Sequence, residues 1–367
     1  MINRLKTAIL ASALILVPAI GGAGEGVKKS EEPTFPKISA SISIEFQNDA
    51  TYSSDNRDEE RNDLYTTTEP EVILALMKGL TIRLLGTIEP VSDPQPREDR
   101  YFEDHGMYLN EFEIAFEHDW FRLHGGKYTP NFGRAWDNTP GVYGTDFAED
   151  YELSERIGLG GSVTFGNDIV GTHTVGFSTF FLDTSIFAES APQRRDRTFL
   201  SQGGVANTEK FNSWVISIDG EGMQHVPELS YHLAFVSQAP SEEGDPTLRE
   251  LGFVAGLAYT YSIGDFNFIP SFEYARFSNA EGVENQKRFF GTIGLGVEWH
   301  NWNAAISNTW RYTRVSAGTD NDDNHFQISA GYAFDFGLSL DIGWKLTESE
   351  KIESQTFGGI LAYTIEF

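Results

Sequence analysis

The chain is predicted to be an all-β transmembrane protein, an antiparallel β-barrel of about sixteen strands with short turns at one end and long loops at the other. Three observations carry that prediction. Apolar and polar side chains alternate in segments of about ten residues along most of the chain. Tight connections alternate with long ones. After the N-terminus no stretch approaches the roughly twenty apolar residues that a membrane helix needs.

The alternation is explicit from the first segment. Ile38, Ala40, Ile42, Ile44 and Phe46 share one face, and Ser39, Ser41, Ser43 and Glu45 the other. Ile82, Leu84, Gly86 and Ile88 alternate with Thr81, Arg83, Leu85 and Thr87, and Tyr108, Asn110, Phe112, Ile114 and Phe116 with Glu111, Glu113 and Glu117. The same pattern returns near the end in Phe289 to Trp299, Trp302 to Tyr312, Phe326 to Phe334 and Leu338 to Leu346. Their opposite faces carry Arg288, Arg311, His325, Gln327, Asp341 and Lys345. In a dry sandwich core each unpaired charge would cost several kcal/mol, whereas in a water-filled lumen it costs little. A barrel with an apolar outside and a wet inside fits.

Tight joints are expected at Lys78-Gly79, His118-Asp119, Gly166 to Asp168, Gly264-Asp265, His300-Asn301 and Phe336-Gly337. Long loops are expected near 47–64, 90–105, 129–150, 183–210, 238–248, 278–285, 314–323 and 348–354. Trp and Tyr recur at segment ends, among them Tyr108, Trp120, Trp299, Trp302 and Trp310, where amphipathic rings suit a membrane interface.

Residues 1–23 read as a cleaved signal peptide, with Arg4 and Lys6 ahead of an apolar run from Ala8 to Ile20, and Gly21 and Ala23 before the cut. Residues 24–36 then form a short periplasmic segment, and 37–367 form the barrel. Cleavage would change the formal charge of −27 to 25 basic minus 54 acidic residues, or −29. That balance speaks against a nucleic-acid partner, because phosphate binding depends on clustered cations. The absence of cysteine removes thiolate metal ligands and cysteine nucleophiles, and nothing in the sequence implies a cofactor.

At the C-terminus Leu361, Tyr363, Ile365 and Phe367 share one face. This resembles the terminal strand of Gram-negative outer-membrane barrels, with Phe367 as the aromatic that the barrel-assembly machinery reads. With the signal peptide and the alternation, the chain resembles the sixteen-stranded porin superfamily. Gly125-Gly126-Lys127-Tyr128-Thr129-Pro130-Asn131-Phe132-Gly133 is similar to the strand end that enters the third loop of phosphate-selective-type porins. The arginine ladder of that type is not evident.

The resemblance implies an outer-membrane location, contact with lipid and lipopolysaccharide, a homotrimer, and a third loop folded inward. On that basis 129–150 is the candidate constriction, with Asp137, Asp146, Glu149 and Asp150 as its acidic side. Arg83, Arg122, Arg156, Arg288, Arg311 and Lys345 would form a basic wall facing it. Glu111, Glu113 and Glu117 form a lumen stripe that either attracts cations or pairs with Arg122 on the next strand. The expected function is passive diffusion of small hydrophilic solutes and ions with a weak cation preference. A substrate-specific channel, for a phosphate-type anion or another nutrient, is the alternative.

Other features weigh less. Asp320 to Asn324 has the oxygen density of a Ca²⁺ loop but lacks its spaced glycine and distal Glu, so it reads as an acidic tip. Arg194, Arg195 and Arg197 in the fourth loop suit lipid phosphates, a neighbouring subunit or anion entry equally well. The eight histidines show no zinc spacing, and no nucleophile elbow is present, so a barrel enzyme or an adhesin ranks behind a channel.

Overall fold

In hydrocarbon no water is present to satisfy exposed backbone groups, so a sheet that crosses a membrane must close on itself. The computed structural model describes residues 34–241, 248–315, 318 and 320–367, and they build such a closed sheet. The signal-peptide reading of residues 1–23 lies outside the described residues. Sixteen long antiparallel strands follow one another in chain order around the wall, and the last pairs with the first.

The strands are β1 (Lys37–Ser54), β2 (Arg61–Met77), β3 (Leu80–Pro90), β4 (His105–His118), β5 (Phe121–Tyr128) and β6 (Arg156–Asn167). Then come β7 (Gly171–Leu182), β8 (Ser213–Glu221), β9 (Leu229–Gln238) and β10 (Glu250–Tyr259, resuming at Tyr261–Ile263). The sheet ends with β11 (Phe266–Ser278), β12 (Lys287–Trp299), β13 (Trp302–Arg314), β14 (Asn321–Ala333), β15 (Leu338–Ser349) and β16 (Ile352–Glu366). Closure is carried by the β1–β16 ladder from Ser41↔Glu366 to Ser54↔Ser354. The Phe367 N–H extends it by donating to the Ala40 carbonyl at 2.8 Å.

Side-chain exposure separates the two faces. Ile38, Phe46, Leu84, Ile114, Leu159, Phe253, Ile293, Ile306, Ile328 and Ile342 are exposed on the outside, while Glu45, Gln47, Glu113, Thr292, Gln327 and Lys345 are buried within. An apolar surface this extensive is the signature of a lipid-facing wall. Leu361, Tyr363, Ile365 and Phe367 all lie on it.

Three expectations change. The first concerns Tyr108, which points inward: it is 7% exposed and its hydroxyl donates to Glu89 at 2.5 Å. The register slips between Leu85↔Glu111 and Gly86↔Leu109, leaving Asn110 as an extra residue. Such a bulge reverses the facing of everything beyond it, so Tyr108 joins the lumen side with Glu111 and Glu113.

The second concerns loop lengths. β1 and β2 continue as a hairpin to Ser54 and Arg61, and β15 and β16 are joined by Glu350 and Lys351 alone, both at positive φ. The expected long loops at 47–64 and 348–354 are therefore mostly strand. Polar residues beyond the lipid band break the apolar alternation, yet their backbones go on pairing. The third concerns Asp320 to Asn324, most of which is the start of β14; Asp323 turns inward and binds Arg311.

β5 is only 8 residues long, so the upper part of β4 loses its neighbour on that side. The fourth loop fills the notch: Ala191 and Pro192 pair with Met107 and Gly106 of β4. Arg195 lies 3.7 Å from the Tyr108 ring and donates to Glu155 at 2.8 Å, so it is engaged within its own chain.

The inside–outside assignment predicts opposite tolerances at adjacent positions. Ile342→Arg should cost about 2–4 kcal/mol of refolding stability in lipid vesicles, measured by urea titration. Asp341→Asn, its lumen-facing neighbour, should change it by well under about 1 kcal/mol.

Candidate functional site

The segment from Thr129 to Glu155 leaves β5 and crosses the lumen. Lys127 prepares the departure. It is 4% exposed and binds Glu155 at 2.9 Å and Asp183 at 2.8 Å, tying together β5, the end of the loop and the start of the fourth loop. Beyond it Asn131 donates to Ser217 and Asp219 of β8, at 3.1 and 2.9 Å. The Gly133 N–H donates to His232 Nε2 of β9 at 3.0 Å, and His232 Nδ1–H donates to Asp219 at 2.8 Å. Two such bonds require the neutral imidazole, with its proton on Nδ1.

The strongest clamp is Glu273 of β11. Its carboxylate accepts the N–H groups of Arg134 and Ala135, at 2.8 and 3.0 Å, where the short helix α1 (Ala135–Asn138) begins. The Tyr151 hydroxyl donates to the same carboxylate at 2.6 Å. Bonds to a charged acceptor contribute about 1.5–3 kcal/mol each. Burial raises the Tyr151 pKa well above the ordinary range, and Glu273 beside it adds to the effect, so the hydroxyl keeps its proton. One carboxylate thus holds the outgoing and the returning limbs of the loop.

Farther on, the loop reaches the opposite wall. Gln327 donates to the Pro140 carbonyl at 2.9 Å and His325 to the Tyr143 carbonyl at 2.8 Å, both from β14. The Tyr143 hydroxyl donates to Asp49 of β1 at 2.6 Å. Burial raises the Tyr143 pKa, with Asp49 contributing. Gly141, at φ 109°, passes so close to Gln327 that a Cβ would meet its side-chain nitrogen at 2.1 Å.

An apolar core seals the underside. Phe132, Ala148, Tyr151 and Leu153 of the loop pack against Phe180, Val215, Val236, Val254, Phe277 and Phe290 of the inner wall. These wall residues face the lumen, so β7 to β12 are apolar on both faces at that height. Alternation alone hides this. The signal was the doubled apolar runs Phe235-Val236, Phe253-Val254 and Phe289-Phe290.

The charged residues expected to face one another across open water instead meet in closed pairs. Asp146 binds Lys345 at 2.9 Å and Asp150 binds Arg311 at 2.5 Å, docking the loop onto β13 and β15. Glu149 accepts the Thr145 hydroxyl within the loop. Asp137 is raised above the usual carboxylate range by burial, against the pull of Arg134. Arg156 is 5% exposed and donates to the Ser154 carbonyl at the loop's base, and Arg288 pairs with Glu281 at the mouth. Neither stands on an open basic wall.

In a ring of sixteen strands, β3 stands opposite β11. That side of the lumen is lined by carboxylates. Arg83 of β3 is gripped by Glu71 and Glu111, and Arg122 of β5 by Glu113 and, at 2.9 Å, Glu117. The pairing expected for the Glu stripe is present, shared between two arginines. Glu45, Glu69 and Glu89 add further acid on β1, β2 and β3, so glutamates outnumber the two arginines.

Removing the Glu273 clamp should free the loop. Glu273→Ala leaves two backbone N–H groups and one hydroxyl without their acceptor. Protease cleavage within 129–150 should rise several-fold while the barrel stays folded.

No family model and no curated protein sequence matches the chain. Solved structures do. The outer membrane channel DcaP of Acinetobacter baumannii superposes with a TM-score of 0.55 at 9% identity, covering 90% of this chain and 96% of that one. OccK8 (OprE) of Pseudomonas aeruginosa gives 0.54 at 10% identity over 90% and 98% of the two chains. OccAB2 of Acinetobacter baumannii gives 0.53 at 11% identity over 92% and 100%. At such identities the likeness establishes architecture: the chain has the fold of the Gram-negative outer-membrane porins.

Proposed function

We propose that the protein is an outer-membrane channel through which small hydrophilic solutes and ions diffuse down their gradients, with a weak preference for cations. The observation that carries this reading is the lumen itself. A barrel of sixteen strands is too wide for its wall side chains to fill, and the loop that enters it is fixed to the β8–β15 side and to β1. The inner wall along β2 to β4, which the loop does not cover with its main anchors, carries charged side chains suited to water. Its carboxylates outnumber its arginines, so it would concentrate cations and thin out anions.

Export through a signal peptide, assembly by the barrel machinery through Phe367, and a homotrimer in lipopolysaccharide belong to the same proposal. A channel dedicated to one solute is the second reading, and the solved Occ and DcaP channels share the fold. Catalysis is disfavoured because His232 and His325 are both spent on holding the loop.

Reconstitution in a planar bilayer tests the reading. Ohmic steps and a reversal potential of cation-selective sign across a KCl gradient are expected, with Glu69→Gln combined with Glu111→Gln moving that potential toward zero. No conductance from folded protein, or a strong anion preference, would overturn it. Deleting Phe367 should lower the amount assembled in the outer membrane several-fold, read by heat-modifiable gel migration.

A further inference from the structure

Beneath the first limb of the loop, on the turn-side half of the barrel, the inner wall of β5 to β8 holds a recess of about 150 Å³. The recess opens over Gly176 of β7, an inward position without a side chain, and the inward positions Gly158 and Gly160 of neighbouring β6 lack one too. Glycine inside a strand weakens it and marks a close approach of some other group. At two of these the group is visible. A Cβ on Gly158 would strike the Tyr128 hydroxyl at 2.8 Å, and one on Gly160 would strike His124 Nε2 at 2.5 Å. The His124 and Tyr128 rings therefore lie over bare backbone, edge to face at 4.6 Å. Over Gly176 the nearest group among the described residues is the Ser217 hydroxyl, at 2.9 Å from a would-be Cβ, with the Ser162 Cβ at 4.0 Å.

The polar groups around the recess are mostly neutral hydroxyls: Ser162, Thr174, Ser178, Ser217 and Tyr128. The Tyr128 oxygen is buried, in a residue 4% exposed, with the Ser178 hydroxyl beside it. The charges at the rim are paired with one another, Arg122 being held by Glu113 and Glu117. Asn131 closes the top, bonded to Ser217 and Asp219. We propose that this recess binds a neutral polyhydroxylated solute of monosaccharide size on its way through the lumen. Hydroxyls both donate and accept, so a ring of them matches a sugar's own hydroxyls, and the paired rim offers neither an anion nor a cation a free partner. The site rests on the reading of a water-filled lumen.

The test is calorimetric titration of D-glucose into the folded, detergent-solubilised protein, with sodium acetate and guanidinium chloride as comparison probes. Saturable glucose binding in the millimolar range is expected. Gly176→Val fills the floor of the recess, and the Ser217 hydroxyl can rotate away from it, so the strand should survive; gel migration checks this. Affinity should fall about ten-fold or more. Tyr128→Phe, which removes one oxygen, should weaken binding several-fold, and both variants should keep the wild-type conductance in KCl. Glucose that fails to bind the folded wild type, or binds Gly176→Val equally well, overturns the proposal. So does acetate or guanidinium binding in its place. Binding in detergent needs no ion flow, so loss of the channel reading alone would appear as glucose bound by a protein that does not conduct.

Discussion

Backbone hydrogen bonding in hydrocarbon is the constraint from which the rest follows. A lone strand in lipid would leave N–H and C=O groups unsatisfied at several kcal/mol each, and only a closed ring leaves no edge. The β1–β16 ladder is therefore the most consequential contact in the molecule, although it joins residues three hundred or more positions apart. Closure at sixteen strands also creates an interior too wide to fill by itself. A segment of chain must enter that interior, and the loop between β5 and β6 does so.

The loop stays there by mixed means. Carboxylates do much of the work: Glu273 and Asp49 accept from the loop, while Asp146 and Asp150 reach from the loop to the wall. Burying such groups singly would be costly, and each is matched by N–H, O–H or a cation. The apolar patch around Phe132 and Tyr151 adds an ordinary hydrophobic core inside an otherwise polar lumen. One side of the interior is thereby packed with apolar side chains, and the other carries paired charges.

Much of this was legible in the residues. Alternation located the sixteen strands because one face meets lipid and the other water, and the inward set Arg311, His325, Gln327, Asp341 and Lys345 falls as periodicity requires. Three things were hidden. A bulge at Asn110 reverses facing without altering composition, so Tyr108 looked lipid-bound. Hairpins beyond the membrane need no apolar alternation, which masked the two-residue turn at Glu350 and Lys351. The acidic loop and the basic wall were expected to oppose each other across the lumen, whereas Asp146 and Asp150 close on Lys345 and Arg311 directly. Pairing across 161 to 199 positions depends on where a loop lands, which spacing does not reveal.

The notch above β5 ties two loops into one unit. Because β5 stops at Tyr128 to send its chain inward, β4 would present a bare edge, and Ala191 and Pro192 of the next loop cover it. Lys127, Glu155, Asp183 and Arg195 then knot both loops at a single point. Residues 128 to 212 consequently behave as one module with respect to change. A graft or deletion that moves the inward loop without its lid would expose strand edge at the mouth, an invitation to pair with a neighbouring molecule. The two loops are thus mechanically one lid, and a length change in either is felt by both.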